Sequence, residues 1–162
     1  MRPVAHSNLA IALRLAGRFA EAEAAFRKAL EIAPQLASLH GLLSLDLLAQ
    51  GRAEEALAEV LREPEEWARL WAPAIIHHAE GRRAESDAAL QALIAKYQDL
   101  AAYQVAGAYA TRNELEPAFQ WLERAYDQRD PGLSEMKCEP SFHPLHADPR
   151  WAAFLRKMGL AD

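Results

Sequence analysis

Apolar residues recur along this chain at intervals of three and four, the period of a helix that buries one side. Leu9 and Leu13 stand four apart, and Phe19, Ala22, Phe26 and Ala29 continue the same rhythm beyond a short break. The breaks fall at Gly17, Gly51, Gly81 and Asn113, spaced 34, 30 and 32 residues apart, and the three glycines are each followed by arginine. Glycine, and less readily asparagine, takes the left-handed conformation that ends a helix and reverses the chain, so these positions predict tight turns between paired helices. The predicted pairs are 3–16 with 19–32, 37–50 with 53–62, 65–80 with 83–97, and 100–112 with 115–128. Pro64 cuts the second helix of pair two short, Pro73 removes a hydrogen bond inside pair three and predicts a kink, and Asp99 is placed to cap the helix that follows it.

Beyond residue 132 the pattern changes. Residues 133–147 hold Pro140 and Pro144 and show no helical period. Asp148-Pro149 then supplies a capping carboxylate and a proline at the first helical position, so a helix is expected over 149–158. Its Trp151, Phe154, Leu155 and Met158 share one face, which suits a cap on the end of a helical array. The expected organisation is therefore one domain, with a repeat array over 1–132 and an irregular segment plus capping helix over 133–162.

The recurring positions are more specific than the period alone. Leu9, Ala10, Leu13, Gly17, Ala22, Phe26, Ala29 and Pro34 follow the order of large, small, glycine and closing proline residues that resembles the tetratricopeptide repeat family. Pair four repeats it with Val105, Ala106, Tyr109, Asn113, Ala118, Leu122 and Ala125, while pairs two and three match less completely. The resemblance implies an all-α fold, a right-handed α-solenoid of about four such helix pairs with a C-terminal capping helix. It also implies a non-catalytic scaffold that binds a protein or peptide. The stretch from Ala125 to Leu160 resembles the C-terminal end of many bacterial members, in which the array is often joined to an N-terminal signalling domain. Self-association, or service as the regulatory module of a larger signalling protein, is the alternative reading, and the chain is expected to be a piece of a longer protein if that reading holds.

In this family the first helix of each pair lines a concave face. Opposite the core positions, the helical period puts Ile11 and Arg14 in pair one, Leu45 and Leu48 in pair two, Trp71, Ile75 and His78 in pair three, and Tyr103 in pair four. This is an apolar face with two aromatic anchors, suited to a peptide or a helix. It is either open or filled by residues 133–147. The resemblance does not extend to the basic clamp by which some relatives hold chaperone tails, since Ser7, Ile11 and Leu42 occupy the matching sites.

Composition narrows the function further. Hydrophobic residues make up 51% and charged residues 25%, a globular balance, and the net charge of −5 argues against a nucleic-acid partner, which needs a basic face. No apolar run spans a bilayer, so no membrane partner is expected. A single cysteine, Cys138, excludes an intrachain disulfide framework, and a cytoplasmic location follows as the default. His77, His78, Cys138, His143 and His146 are the residues from which a metal site would be built, but their spacing is not that of a zinc motif, and no metal or cofactor is expected. No phosphate loop and no oriented nucleophile is legible, so no enzyme activity is expected.

Overall fold

A computed structural model describes residues 2–160. Among the described residues it is all-helical, with nine α-helices in repeated antiparallel pairs and no strand. The helices are α1 (Pro3–Leu15), α2 (Phe19–Ile32), α3 (Leu39–Ala49), α4 (Ala53–Val60), α5 (Glu66–Ala79), α6 (Arg83–Tyr97), α7 (Ala102–Thr111), α8 (Leu115–Asp127) and α9 (Pro149–Lys157). None of them is long and apolar enough to cross a membrane.

The turns form as the glycine spacing predicts. Gly17, Gly51, Gly81 and Asn113 all have positive φ, between 58° and 78°. At each, the amide of that residue donates to the carbonyl three back and the next amide to the carbonyl five before it, as in Gly51 N to Leu48 O (2.8 Å) and Arg52 N to Leu47 O (3.0 Å). This closes the last turn of the helix and satisfies carbonyls that would otherwise lack partners. The arginine after each glycine then folds onto a glutamate three residues on: Arg18 on Glu21, Arg52 on Glu55 and Arg82 on Glu85.

Two prolines bear on the helices of the first unit. α4 ends at Val60, four residues before Pro64, as expected. Pro73 lies inside a continuous α5 from Glu66 to Ala79, so the helix runs through it. Asp99 does not cap α7, whose N-cap is Ala101; it pairs instead with Arg124 of α8 at 2.7 Å. Asp148 does cap α9, accepting from Arg150 N at 2.9 Å. The segment read as irregular contains two short 3₁₀ turns, Pro131–Glu135 and Pro140–Leu145, each opened by a proline and capped by the acidic residue before it.

The chain divides into two compact units, Met1–Ala92 and Leu93–Asp162. In the first, α1 packs on α2, α2 on α3, and α3 on both α4 and α5. The small residues Ala10, Ala22, Ala29 and Ala56 are fully buried and let the helices approach closely around Phe26, Leu43, Leu47 and Ile76. In the second, α7, α8 and α9 share one core with the 3₁₀ turns, built on Ala106, Leu122, Met136, Phe142, Leu145 and Trp151.

Candidate interaction face

The first helices of pairs one and two are mostly apolar, and each carries a single residue of the Asp, Glu, Lys and Arg set, Arg14 in α1 and Asp46 in α3. A charge inside an apolar helix must find a partner when it is buried. Arg14 Nη1 lies 2.5 Å from Asp46 Oδ1, with the side chains 3% and 0% exposed. Arg14, read from sequence as a residue of the inner face, is thus placed in a buried ion pair that joins pair one to pair two.

The other inner-face positions fall into two groups. Ile11, Leu48 and His78 are half-buried, whereas Leu45, Trp71 and Ile75 are buried. The Trp71 ring lies 6.0 Å from that of Trp67, tilted by 31°. Gly41 of α3 lies close by, where an added Cβ would stand 3.4 Å from the Cβ of Ala68 and 3.9 Å from the Trp71 ring. A methyl group there would make ordinary van der Waals contact with α5.

Tyr103 belongs to the second unit and is covered there by the chain itself. Its ring meets that of Phe142 edge-on with centroids 5.1 Å apart. A Cβ on Gly132 would stand 2.7 Å from Tyr103 Cδ1, so only glycine fits over the ring. Asp130 fixes the crossing by accepting from the amides of Tyr103 (3.4 Å) and Gly132 (2.9 Å). Leu133, Met136, Phe142 and Leu145 are all buried in this arrangement. Each large apolar side chain is worth about 1.5–3 kcal/mol when buried, so these four hold the segment on the core.

Three buried acids escaped the sequence reading, and each has a signal in hindsight. Asp46, Glu59 and Glu63 stand 34 residues after Ala12, Ala25 and Ala29, so each puts a carboxylate where the first pair keeps a methyl group. Glu59 lies 2.5 Å from Nδ1 of the buried His40, whose Nε2 faces the carbonyl of Pro34 at 3.3 Å. Glu63 accepts from the amides of Ser38 (2.9 Å), Gly41 (3.0 Å) and Glu65 (3.1 Å). It therefore caps α3 from beyond the next helix.

The residues considered for chemistry are dispersed. Cys138 is exposed. His143 and His146 lie 5.1 Å apart, and His146 stacks on Trp151 at 4.7 Å. Partial burial and the neighbouring His143 hold the His146 imidazole below the usual histidine range. Among the described residues, no group of three or more histidine, cysteine or acidic side chains is arranged to hold a metal ion.

Residues 3–36, the span of α1, its turn and α2, match the family model of the tetratricopeptide repeat. That span is similar to one tetratricopeptide repeat. No curated protein and no solved structure matches the chain significantly. Tetratricopeptide repeats generally mediate protein–protein interaction, and the family is typically a non-catalytic scaffold. The matched repeat begins with a helix that leaves large apolar side chains open. Val4 is 56% and Leu9 52% exposed, and none of the exposed residues of α1 is charged.

Proposed function

We propose that this protein is a non-catalytic module that holds a peptide or a helix of a partner protein on the first helices of its first unit. The observation that carries this is the state of α1: its exposed positions Val4, Ala5, Asn8, Leu9 and Ala12 are mostly apolar and none is charged. Exposed leucine and valine on one helix favour contact with another apolar surface. Ile11 and Leu15 of α1 and Leu48 of α3 supply half-open apolar positions, and Trp71 and Ile75 of α5 supply a firm floor. Tyr103 shares their register but lies beneath residues of its own unit, so the binding role falls to pairs one to three. A concave groove is the family's way of arranging such faces, and it fits the apolar character of these positions.

The test is capture of partners from a lysate of the source cells by the wild-type protein and by Ile11→Glu, with helicity checked by circular dichroism. The partner signal is expected to fall at least about tenfold, the effect of placing a charge in an apolar contact worth roughly 1.4 kcal/mol or more. Full retention of every captured protein by a folded Ile11→Glu variant would remove this face from the reading.

A further inference from the structure

The two sides of α1 differ, and the side of Leu9 lies nearly opposite that of Ile11 on the helical wheel. What belongs against Leu9 can be read from pair two, because 34 residues separate Gly17 from Gly51 and bring Ala5, Leu9, Arg18 and Glu21 into register with Leu39, Leu43, Arg52 and Glu55. Leu43 is 0% exposed where Leu9 is 52% exposed. In pair two the cover is α2, which packs along α3. At one end Leu30 of α2 and Leu43 line the same cavity. At the other, Glu23 of α2 accepts from Gln50 Nε2 at 3.0 Å and from Arg52 Nη1 at 2.7 Å.

The arginines repeat this comparison atom by atom. Arg52 uses Nε and Nη2 to hold Glu55, at 2.8 and 2.6 Å, and gives Nη1 to Glu23. Arg18 uses Nε and Nη2 to hold Glu21, at 2.7 and 2.5 Å. No carboxylate among the described residues accepts from its Nη1, and the Arg18 side chain is 57% exposed against 34% for Arg52. The surface of α1 therefore presents an apolar patch around Leu9 and, nine residues on, a guanidinium with one edge satisfied and one edge open. Guanidinium binds carboxylates edge by edge, so the open edge states the charge of what fits.

From this register we propose that the Leu9 side of α1 docks an amphipathic helix of a partner protein, antiparallel to α1, carrying a carboxylate seven residues before a leucine. Glu23 and Leu30 have that spacing on α2. The carboxylate meets Arg18 Nη1, the leucine covers Leu9, and Ala5 and Ala16 leave room for close approach. A second copy of α1 does not meet the requirement: the helix contains no acid, so pairing with itself leaves both Arg18 side chains without a carboxylate. One helix laid on one face buries less than the roughly 1,200 Å² of a standard interface, so the contact is exchangeable rather than permanent.

The experiment uses the full chain and a labelled peptide of residues 19–34, held helical by a staple between positions 20 and 24, which are exposed on α2. Fluorescence anisotropy is expected to give saturable binding that Leu9→Glu in the chain, or Glu23→Gln in the peptide, weakens about tenfold. Arg18→Glu weakens it similarly, and a peptide carrying Glu23→Arg restores binding to that variant. The peptide variant changes nothing in the chain, so it decides the matter even if Leu9→Glu disturbs folding. Absence of binding, equal binding to Leu9→Glu, or failure of the charge exchange to restore it overturns the proposal. So does light scattering that shows a dimer abolished by Leu9→Glu, since the occupant is then a second copy. A partner held on the Ile11 side is unaffected by Leu9→Glu, which keeps failure here separate from failure of the proposed function.

Discussion

Gly17, Gly51, Gly81 and Asn113 all take a left-handed backbone, but only asparagine carries a side chain there. A Cβ added at Gly51 would meet nothing within 4 Å, so the cost of alanine at that site is the cost of the backbone conformation alone. Gly51→Ala is expected to lower stability by about 1–2 kcal/mol, read as a shift of the urea midpoint at unchanged slope. Asn113→Gly is expected to change it by no more than a few tenths, because the backbone relief and the added freedom of the unfolded chain oppose one another. These turns were legible because residue type and conformation coincide. Arg129 also has positive φ, at 56°, and was not legible, because nothing in an arginine side chain favours that region.

At the scale of the element, the helices follow their apolar period, and single buried polar groups add specific ties between them. Glu63 is the clearest case. Ser38 makes no side-chain cap at the start of α3, and the carboxylate of Glu63 takes that place, two amides on Oε1 and one on Oε2. Glu63→Gln keeps the shape but turns one acceptor into a donor that faces a donor. A loss of about 1–3 kcal/mol is expected for the unsatisfied buried group. Hydrogen exchange checks the assignment, since the amides of Ser38 and Gly41 should exchange faster while those of α8 should not change. Retained protection at both amides would mean that Glu63 does not cap α3. The sequence showed only that a glutamate had replaced the small residue expected at that repeat position; it did not show which amides it served, because they lie 22 and 25 residues away.

For the molecule as a whole, two compact units each hold a core of their own. In the second, the core depends on a segment without helical period. Phe142 is fully buried and touches both Tyr103 and Trp151. Phe142→Ala is expected to cost about 3–5 kcal/mol, with the loss appearing as faster amide exchange in α7 and α8. Unchanged protection there would show that residues 131–145 are an appendage and not part of the core.

The helices, their pairing and the repeat are legible in the chain alone, because they follow from a short-range period and from glycines whose freedom is written in their type. Even the sides of α1 could be assigned from spacing alone. Which of those sides are covered depends on packing between helices distant in the chain. Arg14 lies against Asp46, Tyr103 lies under Gly132 and Phe142, and Leu9 stays exposed while its counterpart Leu43 is buried. Burial and ion pairing are properties of neighbours brought together from tens of residues away, and no local pattern encodes them. The Leu9 side of α1 and the open edge of Arg18 stand out only against α2 lying on α3 in the next pair.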